Sequence, residues 1–133
     1  MFKAINELLN DDGYAHIEVA YAVDTIMSAN FDTIYHEHFC NYTLMSLNNI
    51  ISSNGLKISD VERIPTQGGS LRIIVRKKSY SGPTSDSVEK LLKFELENNY
   101  DKLNFYLNLS HEIQRKVDEV KNLFTLKNLN KDI

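Results

Sequence analysis

Two apolar stretches, Leu56 to Ile64 and Leu71 to Lys77, are separated only by Pro65, Thr66, Gln67, Gly68, Gly69 and Ser70. A Gly-rich connection of that length suits an antiparallel hairpin, so both stretches are predicted strands that pair with each other. Ile73 and Val75 alternate with Arg72, Ile74 and Arg76. The hairpin should therefore bury one face and leave the other partly wet.

Upstream, Phe2, Ile5, Leu8 and Leu9 recur at helical spacing, and Asp11-Asp12-Gly13 supplies turn chemistry. From Ala15 to Ala20, Ile17 and Val19 fall on one side and His16, Glu18 and Ala20 on the other, the pattern of a short strand. Glu18 near its carboxyl end is placed to touch a ligand or to pair with a helix. A short helix is expected around Ala22 to Ser28. A second is expected behind a Thr43 cap, carrying Leu44, Leu47, Ile50 and Ile51 and closed by Gly55. Ser79 to Ser87 reads as a linker. Beyond it, Val88, Leu91, Leu92, Glu95 and Leu96, then Leu103 to Phe124, follow helical spacing, with Asp101 as the expected start of the second, longer helix.

A chain of 133 residues, 42% hydrophobic and 25% charged, is of single-domain size and has enough apolar material for a core. Its net charge of −3 argues against nucleic acid as a partner, because phosphate neutralisation needs clustered Lys and Arg and only Arg76-Lys77-Lys78 cluster. The single Cys40 rules out an internal disulfide and a cysteine-rich zinc site, and suggests a reducing, cytoplasmic setting. No apolar run has the length of a signal peptide core or a membrane span, so no membrane association is expected.

The densest chemistry is the run Tyr35-His36-Glu37-His38, opened by Phe31-Asp32-Thr33 and closed by Phe39-Cys40. Two imidazoles, a carboxylate and a phenol are the groups that move protons near neutral pH. Two histidines two residues apart also occur in metal sites, but no third ligand stands nearby, so no metal is expected.

The run from Phe31 to Cys40, together with Asn54-Gly55-Leu56, Asp60-Val61-Glu62-Arg63 and Gly68-Gly69-Ser70-Leu71-Arg72, resembles the S-adenosylmethionine-dependent sugar C-methyltransferases of deoxysugar biosynthesis. The resemblance implies an α/β fold: the last three strands of a partial Rossmann-like class I methyltransferase sheet, ending in an antiparallel hairpin and followed by helices. On that alignment residues 1–78 are the end of the methyltransferase domain, 79–87 a linker, and 88–133 the helical start of a C-terminal domain. The reaction implied is removal of a proton beside the ketone of a nucleotide-linked sugar, followed by methylation at carbon. By resemblance Tyr35 and His38 carry the proton abstraction, and Glu37 orients the imidazole or binds a sugar hydroxyl. His36 would meet substrate or, pointing away from Glu37, serve structure; Ser70 and Arg72 would shape the site or meet the nucleotide diphosphate, with an Arg72–Glu62 pair across the hairpin an equal alternative. The family commonly carries His where Gln67 stands, an aromatic where Asn41 stands and proline in place of Ala20.

The Gly-rich turn and acidic strand end that would hold S-adenosylmethionine are missing from this sequence, as are the cysteines of the family's zinc-binding amino-terminal module. The chain alone is therefore expected to be inactive, as part of a larger enzyme or as a remnant or interaction module. The expected sheet has the Leu71 strand inserted antiparallel between the Ile17 and Leu56 strands. An edge beside the Ile17 strand and unpartnered helix faces would favour a complementing fragment or self-association.

Overall fold

The computed structural model describes residues 1–28 and 40–129, the last four of these by backbone alone. The helices are α1 (Phe2–Leu8), α2 (Ala22–Met27), α3 (Leu44–Ser53), α4 (Asp86–Glu97) and α5 (Leu103–Leu129); the strands are β1 (Ala15–Ala20), β2 (Leu56–Ile64) and β3 (Ser70–Lys77). The chain divides into two compact units, Met1–Asn98 and Asn99–Ile133.

The sheet order is β1-β3-β2, and β3 is antiparallel to both neighbours. Ile17 and Val19 lie beside Ile73 and Leu71. With Ile58 and Val61 they build one apolar face, on which Leu71, Ile73 and Val75 are fully buried. The opposite face carries a row of charge: Glu18, Arg72 and Glu62 stand side by side across the three strands. Here the hairpin and the inserted strand follow the sequence reading. A bulge between Ile58 and Asp60 does not. It shifts the buried positions of β2 from Leu56 and Ile58 to Val61, and it turns the Ser59 carbonyl to accept from the Ser85 amide at 2.8 Å.

Helices α3 and α4 both pack on β2. Thr43 caps α3, its hydroxyl accepting from the Ser46 amide, and Leu44, Leu47 and Ile51 enter the core. Gly55 follows α3 with φ 74, and the Asn54 carbonyl accepts from the Asn6 amide nitrogen at 3.1 Å, which ties α1 to this corner.

The stretch before α4 is bonded to the sheet along its length. Lys57 Nζ donates to the Tyr80 carbonyl at 2.5 Å, and Ser87 Oγ, already inside α4, donates to Asp60 Oδ1 at 2.6 Å. Ser85 caps the helix, which starts two residues before the apolar pattern begins. The Ser87 hydroxyl first holds the Asp60 carboxyl below its usual range; burial opposes it, and the Ser85 hydroxyl and the Val61 amide add smaller lowering effects. A depressed carboxyl stabilises the fold above its unfolded pKa and loses that contribution as pH falls through its folded value. Ser87→Ala is expected to cost about 1 kcal/mol at pH 7. The difference should shrink in urea melts repeated below about pH 4, where carboxylates protonate.

Candidate functional site

Tyr35, His36, Glu37 and His38 lie outside the described residues. Their nearest described neighbours in the chain are Ser28 and Cys40, and both ends of that interval are held firmly. On the entering side, α2 is pinned to the hairpin: Arg63 Nε donates to the two Asp24 carboxylate oxygens at 3.1 and 3.2 Å, and its Nη2 donates to Oδ1. The guanidinium also stands 5.4 Å from the Tyr21 ring and 5.8 Å from that of Phe94. On the returning side, the Tyr42 amide donates to the Ala20 carbonyl at 3.0 Å, and the Ala22 amide to the Tyr42 carbonyl at 2.9 Å. Tyr42 thus pairs alongside Tyr21 at the carboxyl end of β1.

Between α2 and the hairpin turn is an open cavity of about 430 Å³, lined by Asp24, Ser28, the segment Arg63–Ile64–Pro65, Gly68 and Gly69. Its floor depends on Gly69. With φ 120, that residue sits where L side chains are strained, and a β-carbon there would come within 2.2 Å of Asp24 Cβ. The Gly69 carbonyl accepts from the Tyr21 amide at 3.0 Å, which locks the turn to the start of α2. Gly69→Ala is expected to cost about 3 kcal/mol, combining strain with the clash, and to lower the urea midpoint accordingly.

Glu95 occupies a core position of α4 with no exposed surface. Its carboxylate accepts from the Leu44 amide at 2.6 Å and the Met45 amide at 2.8 Å, so a side chain from α4 satisfies the first turn of α3. Tyr21, equally buried, lies close enough to feel that carboxylate, but no acceptor among the described residues meets full hydrogen-bond geometry with its hydroxyl. Burial first, then the charge and reach of Glu95, push the phenol well above the ordinary tyrosine range, opposed in part by Arg63. Tyr21 therefore stays protonated and is a wall, not a base. The Tyr42 phenol is also raised, first by its hydrogen bond with Cys40 and then by burial.

Of the residues expected to meet substrate, Ser70 and Arg72 are described. Ser70 is buried, and its hydroxyl donates to the Thr66 carbonyl at 3.3 Å, inside the hairpin turn. Arg72 lies on the polar face of the sheet, 3.5 Å from a carboxylate oxygen of Glu18 and 3.5 Å from one of Glu62. Glu18 in turn accepts from the Thr66 hydroxyl at 2.9 Å. Glu18 is thus a paired carboxylate, and Arg72 pairs across the hairpin as the alternative reading had it. Sequence reasoning did not name Asp24 and gave no role to Arg63 or Glu95. For Glu95 the signal was available: a glutamate in the apolar series Val88, Leu91, Leu92, Leu96 occupies a core position and needs a buried donor.

Gly68 and Gly69 join two strands, and the Gly69 amide donates to the Thr66 carbonyl at 2.9 Å inside the turn. Among the described residues no group of three His, Cys, Asp or Glu could hold a metal ion, and no helix is long and apolar enough to cross a membrane.

Residues 65–133, just over half of the chain, match the family described as the C-methyltransferase C-terminal domain. The chain is also similar to C-methyltransferase NovU of Streptomyces niveus, at 32% identity over 95 residues. That similarity covers 71% of this chain and 23% of the relative, so the chain corresponds to about a quarter of that protein's length. The match begins inside the hairpin turn and runs through β3, α4 and α5, so Gly68, Gly69, Arg72 and Glu95 all fall within it. The chain belongs to the C-methyltransferase family.

Proposed function

We propose that this chain supplies the carbon-acid half of an S-adenosylmethionine-dependent C-methyltransferase, acting on a nucleotide-linked keto-deoxysugar. In that role His38, with Tyr35, takes the proton from the carbon beside the ketone. The electron pair left behind becomes an enolate whose oxygen is the former ketone oxygen, and Glu37 orients the imidazole or binds a sugar hydroxyl. His36 contacts substrate or serves structure. Ser70 and Arg72 shape the site or meet the nucleotide diphosphate, Ser70 from the hairpin turn and Arg72 from its place beside Glu18 and Glu62. The methyl donor supplies the electrophilic carbon and is bound by a Rossmann-like portion of a larger assembly, because the Gly-rich turn and acidic strand end that would hold it are not found in this sequence.

The observation that carries this reading is the anchoring around the Tyr-His-Glu-His run. Ser28, the last described residue before it, lines the cavity beside Asp24 and Arg63, and Tyr42, just after it, is bonded to the carboxyl end of β1. In the proposed Rossmann-like sheet β1 is the strand that runs parallel to the rest, and carboxyl ends of parallel strands are where such sheets place their ligands. Family membership supplies the reaction class.

The test is a chimera in which this chain replaces the matching stretch of the Streptomyces niveus relative. Transfer of labelled methyl from S-adenosylmethionine to a nucleotide-linked keto-deoxysugar is the expected result. A folded chimera with no transfer would favour a non-catalytic interaction module instead. Equilibrium dialysis of the isolated chain against S-adenosylmethionine should show no saturable binding. Stoichiometric binding by the chain alone would contradict a donor site held elsewhere.

A further inference from the structure

The cavity between α2 and the hairpin turn is walled by a carboxylate whose acceptor capacity the fold does not fill. Among the described residues Arg63 is the only donor to Asp24, and it approaches from one edge. Nε at 3.1 Å and Nη2 both reach Oδ1, whereas Oδ2 receives only the longer share of Nε at 3.2 Å. A carboxylate oxygen accepts along two directions, so Oδ2 keeps room for a further donor. The glycine at 69 leaves that room open, since a β-carbon there would stand 2.5 Å from Oδ2. Asp24 and Gly69 both line the cavity, and the Asp24 side chain is 16% exposed, so a group in the cavity can reach it.

The guanidinium fixes the chemistry of that group. A carboxylate already balanced by Arg63 gains little from a second cation, and a neutral hydroxyl supplies the missing hydrogen bond without disturbing the ion pair. Arg63 also holds the acceptor still, because it stands against the rings of Tyr21 and Phe94 at 5.4 and 5.8 Å. Ile64 and Pro65 give the cavity an apolar flank, on which carbons bearing no hydroxyl forfeit no hydrogen bond. A volume of about 430 Å³ lies toward the small end of the ~300 to 1,000 Å³ range of ligand pockets, the size for one ring rather than a whole sugar nucleotide. The lining therefore suits a ring with a hydroxyl on one side and deoxygenated carbons on another.

We propose that Asp24 is a specificity-determining residue, its Oδ2 accepting from one ring hydroxyl of the keto-deoxysugar while deoxygenated carbons lie against Ile64 and Pro65. Arg63 is the positioning residue that aims the carboxylate. The inference rests on the proposed reading of the site as one for a nucleotide-linked keto-deoxysugar, and it adds the side chain that tells one such sugar from another.

The full 133-residue chain and the chimera are titrated by saturation-transfer NMR with the nucleotide-linked keto-deoxysugar, with analogues each lacking one ring hydroxyl, and with the nucleoside diphosphate alone. One analogue should bind about tenfold more weakly than the parent sugar, the low end for a hydrogen bond to a charged acceptor because the cavity is open to water. Asp24→Asn keeps the shape but loses the charge, and it should weaken the parent sugar and remove its advantage over that analogue. Arg63→Lys leaves the carboxylate but not the planar fork, so it should narrow the gap without closing it. Equal affinity for every analogue overturns the proposal, and that comparison uses unmodified protein, so it does not depend on the variants folding. Equal affinity for the sugar nucleotide and the nucleoside diphosphate, binding of the sugar by neither protein, or a folded Asp24→Asn variant that still discriminates also overturns it. Hydrogen exchange beside the ketone reads the reaction separately. Exchange by the chimera without discrimination overturns this inference alone, whereas discrimination without exchange upholds it and removes the proposed catalysis.

Discussion

Combined replacement of His38 by Ala and Tyr35 by Phe is expected to slow methyl transfer by the chimera about 10²- to 10⁴-fold, the range that a positioned general acid–base pair contributes. The substitutions remove the base and the phenolic proton but leave the cavity wall of Asp24, Arg63 and Gly69 intact. KM for the sugar nucleotide should therefore move little while kcat falls, because an interaction realised only in the transition state has been removed. Tyr35→Phe alone keeps the ring and separates the phenol's part from that of the imidazole. Loss of kcat and of sugar binding in equal measure would assign the run to substrate recognition. An unchanged rate would remove both residues from the chemistry.

Replacement of Glu95 by Ala is expected to destabilise the chain by about 3 kcal/mol, from two buried amides left without acceptors and a gap where the side chain stood. The amides belong to Leu44 and Met45, the first two residues of α3, and the carboxylate reaches them from α4 with no water-exposed surface of its own. Glu95→Gln keeps the volume and one acceptor oxygen but turns an NH2 group toward a donor, so it should recover only part of the loss. Urea unfolding followed by tyrosine near-ultraviolet dichroism distinguishes the three proteins. Because α3 begins at Leu44, two residues after Tyr42, the same substitutions should reduce transfer in the chimera, by far less than the His38 change. A Glu95→Ala protein as stable as the parent would mean that solvent reaches those amides readily.

The strands were legible from periodicity because their apolar residues alternate strongly and the Gly-rich connection between β2 and β3 is short. The insertion of β3 between β1 and β2 also agrees with the sequence reading. The bulge at Ser59 was not legible, since a serine in a strand gives no sign of an extra residue until its carbonyl is seen to accept from Ser85. Helix α4 starts at Asp86 rather than at the first apolar residue, and α5 at Leu103 rather than at Asp101, because caps and local hydrogen bonds fix helix ends while hydrophobic spacing marks only the buried turns.

The site divides in a similar way. Its titratable run is conspicuous in sequence because such residues seldom cluster without chemical cause. The Asp24–Arg63 pair spans 39 positions and the Glu95–Leu44 bond 51, and pairings that distant come only from the fold. Ser70 and Arg72, chosen by resemblance, hold the hairpin turn and the sheet face by their own bonds. Those bonds across the turn and the strands are set by the fold and are not legible from residue type.

The most direct measurement follows the proton itself. The chimera is incubated in deuterated water with the nucleotide-linked keto-deoxysugar and no methyl donor, and the hydrogen on the carbon beside the ketone is observed by NMR. Wash-in of deuterium faster than the uncatalysed rate, and its loss when His38 and Tyr35 are replaced, is the expected result. Exchange that proceeds equally well without those two side chains would contradict the assignment of the proton step to this chain.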